Sequence, residues 1–130
     1  MKLQKNEPYF MHAISQYQEF FVTYLESQTI RKQPENLYIP IEYILGLGGK
    51  RIRPVLTLMT AEIFKTDYKK ALPAAIAVEV FHNFSLIHDD IMDDAPLRRG
   101  AKTVHEKWNL NTGILSGDAM LILAYQYFEQ

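Results

Sequence analysis

The sequence predicts an all-α fold, and three observations carry the prediction. Apolar residues recur at helical spacing in residues 9–28, residues 74–87 are apolar enough to be a buried helix, and no stretch alternates with the period of two that a strand requires. The chain has 130 residues, 48% of them hydrophobic and 12% aromatic, which is enough for one domain with its own core.

In residues 9–28, Phe10, Ile14, Tyr17, Phe21 and Tyr24 alternate spacings of four and three, one face of a helix that Asn6-Glu7-Pro8 opens. That face is for packing. Residues 31–36 read as a polar loop and 38–45 as a short helix. Gly46-Leu47-Gly48-Gly49 cannot continue a helix, and Pro54 suits the first turn of the next one, expected over 54–64. Residues 67–70 connect to a long helix that has Pro73 in its first turn and is stopped by Pro96. Residues 103–108 read as a short surface helix or loop with Trp108 as a packing anchor. Asn111-Thr112-Gly113 opens a last helix, apolar at Ile114, Leu115, Met120, Leu121, Leu123, Ala124, Tyr127 and Phe128. Gly113 and Gly117, one turn apart, give it a small face for close approach by another helix, and the helix is expected to expose apolar surface.

Composition excludes several classes of function. A net charge of -1 gives no overall basic field for nucleic acid or an anionic membrane. The absence of cysteine removes disulfides, thiolate zinc sites and thiol nucleophiles. Residues 1–6 lack an apolar leader, and no run approaches the ~18 apolar residues of a membrane span. The expected location is cytoplasmic.

The long helix ends in Asp89-Asp90-Ile91-Met92-Asp93-Asp94. A like-charge pair one turn apart, such as Asp89 and Asp93, destabilises an isolated helix by about 0.2–0.5 kcal/mol, and burial raises that cost. A cation is expected there. At about 100° per residue, Glu79, His82, Asn83, Asp89, Asp90 and Asp93 fall within roughly a third of the circumference, while Phe81, Phe84, Ile87 and His88 take other faces. Such a stripe is the wall of a cavity or the contact with a ligand. Lys50, Arg51 and Arg53 stand at a helix N-terminus, where basic residues are unfavourable unless an anion joins them. Arg98 and Arg99 follow Pro96 and present guanidinium forks suited to phosphate. The spacing of a Walker loop and that of an EF-hand are both absent. Carboxylates and arginines of this kind neutralise one another as structural ion pairs, or else bind a polyphosphate through Mg²⁺, which prefers one or two carboxylates plus substrate phosphates.

Three motifs in order carry a resemblance: Gly48-Gly49-Lys50-Arg51-Ile52-Arg53-Pro54, Asp89-Asp90-Ile91-Met92-Asp93, and Leu97-Arg98-Arg99-Gly100 followed by Thr103-Val104-His105. Together they resemble the trans-isoprenyl diphosphate synthases, the polyprenyl synthetase family. The resemblance implies an isoprenoid synthase helical bundle, with residues 1–130 a partial polyprenyl synthetase domain whose C-terminal half is absent. It implies a prenyltransferase that condenses isopentenyl diphosphate with an allylic diphosphate with the help of Mg²⁺, and a homodimer at full length. By resemblance, Asp89, Asp90 and Asp93 bind Mg²⁺ bridging to the allylic diphosphate, which Arg98 contacts. Lys50, Arg53, His82 and Arg99 resemble the pocket for the diphosphate of isopentenyl diphosphate. Ser85 and Phe84 stand where the family limits product length, and a small residue beside a bulky one resembles enzymes making farnesyl or geranylgeranyl diphosphate. On the wheel Ser85 lies near the Asp89 face and Phe84 about 140° away, a core position.

Two departures stand out. Ala101-Lys102 precedes Thr103 where the family usually has proline, and after Asp94 the only aspartate is Asp118, so the family's second aspartate-rich motif is missing. The residues are therefore read as the N-terminal portion of a synthase, inactive in isolation. A non-catalytic regulatory partner of a full-length synthase and a purely structural helical domain are the alternatives.

Overall fold

Helices α1 (Tyr9–Ser27), α2 (Glu35–Gly46) and α3 (Ile52–Ile63) lead through a 3₁₀ turn (Tyr68–Ala71) to α4 (Leu72–Met92). Strands β1 (Leu97–Arg98) and β2 (Ala101–Lys102), then α5 (Val104–Lys107) and α6 (Leu110–Phe128), complete residues 9–130, which the computed structural model describes. The class is all-α, as predicted. The helix start read at Asn6-Glu7-Pro8 and the side chain of Phe10 lie outside the described residues.

α4 is the central element, packed against α1, α2, α3 and α6. Ala75, Ile76, Ala77, Val80 and Ile87 turn into the core, where they meet Phe21 of α1, Ile41 and Ile44 of α2, Leu58 of α3 and Met120 of α6. Burying each large aliphatic or aromatic side chain contributes about 1.5–3 kcal/mol. With the 3₁₀ turn, α4 is long and apolar enough to cross a membrane by length and composition alone, a test that the core helix of a bundle also passes. Within the bundle it carries Glu79, Asn83 and Asp90 buried, a core helix with polar contacts of its own.

The glycines of α6 explain how closely it approaches α4. A Cβ on Gly117 would stand 2.5 Å from His88 Nε2, and one on Gly113 would stand 3.0 Å from Ile91 Cδ1. The small face predicted for α6 is therefore occupied by α4. α6 also leaves Leu115, Ile122, Tyr125 and Phe128 exposed, as expected.

Several boundaries differ from those read in the sequence. α2 begins at Glu35, inside the expected loop, because Pro34 serves as the N-cap and an acidic first turn suits the helix dipole. α3 begins at Ile52, with Pro54 still among the first-turn positions whose N–H groups have no helical partner. α6 begins earlier than Asn111, because the Asn109 side chain accepts from Thr112 N at 2.8 Å and caps it.

Residues 97–102 form a hairpin that the sequence did not announce. Leu97 pairs with Lys102 and Arg98 with Ala101, leaving Arg99 and Gly100 as the two-residue turn. Both have positive φ, 52° and 79°, as a type I′ turn needs. α5 is only partly a surface element: Thr103 and Val104 are buried, Thr103 donates its hydroxyl to Ala95 O at 2.7 Å, and Trp108 meets the Tyr43 ring edge-on.

Candidate active site

The polar stripe of α4 divides into two halves of about 40° each. Glu79, Asn83 and Asp90 point inward and are buried, while His82 is half-buried and Asp89 and Asp93 are exposed. This corrects the expectation of three aspartates sharing one buried face. Asp89 lies about 100° round the helix from Asp90, and Asp93 is the C-cap, already beyond the last helical residue.

The inward half is satisfied by arginines. Asp90 accepts two hydrogen bonds from Arg98, Nε to Oδ2 and Nη2 to Oδ1, both 2.8 Å. That pair holds Arg98 strongly protonated, chiefly through the hydrogen bond to Asp90. Glu79 Oε1 accepts from Asn83 Nδ2 at 3.0 Å and from Arg51 Nη1 at 3.5 Å. Arg51 is buried, donates from Nη2 to Leu45 O at 2.7 Å, and has its guanidinium 5.8 Å from the Phe21 ring centre. It has φ 54° and stands as the N-cap of α3. Of the basic run, Arg51 is thus the anchor, and Lys50 and Arg53 on either side of it are exposed.

In the outward half, His82 faces cations. Arg53 Nη1 lies 3.3 Å from His82 Nε2. Arginine only donates, so Nε2 is the acceptor and the ring proton sits on Nδ1. Burial, then Arg53, then Arg99 and Arg98 push the His82 pKa down against a smaller opposing pull from Glu79. Arg99 lies against Gly49: a Cβ there would stand 2.8 Å from its Cζ. Burial, followed by Arg51 and Arg98, lowers the Arg99 pKa as well. The hairpin turn and the glycine loop therefore abut, and Arg53, His82 and Arg99 are brought together. Gln18 Nε2 of α1 donates to Lys50 O at 2.7 Å and steadies the same loop.

A cavity of about 490 Å³ opens beside Arg53 and His82. Val78, Phe81, Ala124, Tyr125 and Phe128 make most of its wall, with Ser85 among them. Phe84 does not line it; its ring packs edge-on against Phe81 and His88, with centroids 5.4 Å and 5.0 Å away. The two residues read as length determinants are therefore separated.

The family model of polyprenyl synthetase matches residues 34–130. The chain belongs to the polyprenyl synthetase family. It is 48% identical over 102 residues to a geranylgeranyl pyrophosphate synthase of Geoglobus acetivorans, covering 78% of this chain and 32% of that protein. It is 46% identical over 94 residues to a geranylgeranyl diphosphate synthase of Methanosarcina mazei, covering 72% of this chain and 29% of the other. A solved geranylgeranyl pyrophosphate synthase superposes with a TM-score of 0.87 at 59% identity over 89% of this chain and 36% of its own. The chain thus spans about a third of the length of the relatives it matches. These relatives are named as synthases, and the comparisons give no support to the regulatory alternative.

In this chain, the acidic end of α4 fits a hard divalent cation. The last turn holds no basic residue, so carboxylates crowd the negative end of a helix dipole. Asp90 is committed to Arg98 by both its oxygens, whereas Asp89 and Asp93 have no ion pair among the described residues. Two free carboxylates one turn apart match what Mg²⁺ takes from protein when phosphates complete its shell. The motifs made all of these residues visible in the sequence. What sequence reading missed is the division of labour among them, because wheel angles give direction but not the position of neighbouring elements.

Proposed function

We propose that the complete protein is a prenyltransferase that joins isopentenyl diphosphate to an allylic diphosphate. The observation that carries this reading is the placement of two unpaired carboxylates, the Arg98–Asp90 pair and the Arg53–His82–Arg99 group around residues that border an apolar cavity. Asp89 and Asp93 would hold Mg²⁺, which neutralises diphosphate charge and stabilises the departing anion. Arg98, oriented by Asp90, would bind that diphosphate through its remaining N–H groups. Arg53, His82 and Arg99, with exposed Lys50, supply donors for the second diphosphate, and His82 gains a proton when the anion offsets its arginine neighbours. The apolar wall keeps water from the allylic cation while the double bond of isopentenyl diphosphate attacks it.

Ser85 sets the depth available to the growing chain, and Phe84 supports the wall from behind through Phe81. Products in the farnesyl to geranylgeranyl range are the proposed outcome, with the enzyme acting in the cytoplasm. The exposed apolar residues of α6, Leu115 and Ile122 among them, support association into a homodimer at full length.

The test is binding followed by turnover. Mg²⁺ with inorganic diphosphate should raise the melting temperature, and the full-length protein should incorporate labelled isopentenyl diphosphate into a longer prenyl diphosphate. No incorporation with any allylic diphosphate, by protein that binds Mg²⁺ and diphosphate, would refute the reading.

A further inference from the structure

We propose that Asp94, His105 and Glu106 form a second divalent-cation site, separate from Asp89 and Asp93 and selective for an ion of the zinc class rather than Mg²⁺. The side chain of His105 is only 9% exposed, yet neither Nδ1 nor Nε2 has a hydrogen-bond partner. Leaving a buried polar group without a partner is unfavourable, so a ligand for this imidazole has a clear thermodynamic incentive.

The surroundings supply that ligand's other contacts. Nε2 is 3.9 Å from Asp94 Oδ1 and 4.0 Å from Glu106 Oε1, and the three donor atoms lie within 4.8 Å of one another. Ligands around four-coordinate zinc, at bond lengths of about 2.0–2.2 Å, stand roughly 3.4 Å apart. Both carboxylates are exposed and free to close that gap by rotating toward the largely buried imidazole. A water in the fourth position would complete the shell.

Donor chemistry selects the ion. Mg²⁺ prefers an all-oxygen octahedron, whereas one imidazole with two carboxylates suits zinc and its first-row neighbours. The Asp89 and Asp93 pair offers no nitrogen and stays with Mg²⁺.

The position gives the site a purpose. Asp94 follows the C-cap of α4 directly, His105 and Glu106 belong to α5, and between them runs the hairpin that carries Arg98 and Arg99. An ion bridging them would clamp that hairpin at its base. These three are positioning residues, acting on the diphosphate site through the backbone.

The experiment is titration of chelator-treated protein with Zn²⁺ in millimolar Mg²⁺, followed by calorimetry, with Co²⁺ as a spectroscopic substitute. One equivalent of Zn²⁺ is expected, and Co²⁺ should give visible bands of a nitrogen-containing tetrahedral site. Asp94→Asn and Glu106→Gln alter exposed groups and leave the fold intact, as circular dichroism would check. Each should weaken Zn²⁺ by at least the roughly tenfold that loss of an outer-shell partner costs, and His105→Gln by more. The Asp89→Asn, Asp93→Asn double variant should bind Zn²⁺ as the parent does. Absence of Zn²⁺ binding, affinity unchanged in Asp94→Asn and Glu106→Gln, or loss of binding in the double variant would each overturn the proposal.

Discussion

Arg98 and Asp90 form a two-pronged pair, both hydrogen bonds 2.8 Å long, with the carboxylate 5% and the guanidinium 24% exposed. A pair of this geometry fixes the orientation of a planar fork, and it joins the hairpin to the central helix. Removing one partner leaves the other half-buried and uncompensated. Asp90→Ala should therefore cost about 3 kcal/mol of folding stability, while Asp89→Ala should cost under ~1 kcal/mol, since it relieves like charge at a helix C-terminus. Urea unfolding of the two variants decides it, and equal losses would refute the division of roles.

Asp89 and Asp93 should instead control ligand response. With Mg²⁺ and diphosphate at a hundred times Kd, the parent gains about 2.7 kcal/mol by mass action. Asp89→Asn and Asp93→Asn should lose most of that gain with no loss of stability in the ligand-free state. Thermal melts with and without both ligands measure it.

His82 makes diphosphate binding dependent on pH. Its folded pKa is depressed by burial and by Arg53, so its contribution to stability is present above the unfolded value of about 6.5 and declines as pH falls through it. A bound anion reverses the penalty on the charged form, so binding gains a proton and strengthens on acidification. The affinity ratio of parent to His82→Gln should therefore rise between pH 7.5 and pH 5.5, roughly the window in which an imidazole charges. A constant ratio would remove His82 from the diphosphate group.

A side chain at Gly49 should strain the backbone and displace Arg99. Its φ is 123°, and a Cβ would press on the Arg99 guanidinium at 2.8 Å. Gly49→Ala should cost about 1–3 kcal/mol in backbone strain and weaken diphosphate binding as Arg99→Gln does. Gly48→Ala, which has positive φ but open space, should show the strain without the loss of affinity. Calorimetry of the two variants separates these effects.

Ser85 and Phe84 should behave differently in the complete enzyme. Ser85→Phe fills the cavity and should shorten the product, whereas Phe84→Ala, away from the lining, should reduce stability by roughly 3–5 kcal/mol at most without lengthening it. Chromatography of the prenyl products checks both.

The long helices were legible because tertiary packing follows their apolar periodicity, and Phe21, Ile76 and Met120 lie where that pattern puts them. The cationic and acidic residues were legible as motifs. The hairpin was not, since its strands have two residues each and its Arg99-Gly100 turn carries arginine where asparagine or aspartate would have signalled it. Nor was the role of Arg51, because nothing in the basic run itself distinguishes a buried guanidinium from its exposed neighbours; its partners do, Leu45 O, the Phe21 ring and Glu79, the last 28 residues further along the chain. The cap at Asn109 was readable in principle, as an asparagine three residues before the N–H it binds.

The meeting of Arg99 with Gly49, so close to Arg51, Arg53 and Arg98, ties stability to the surrounding electrolyte. Folding brings several like charges together, and this repulsion is carried permanently by the ligand-free state. Sulfate or phosphate should stabilise the protein more than chloride at equal ionic strength, and the order of anions would report how well each fits the fork of arginines. The identity of a buffer thus becomes a variable in every measurement on this protein.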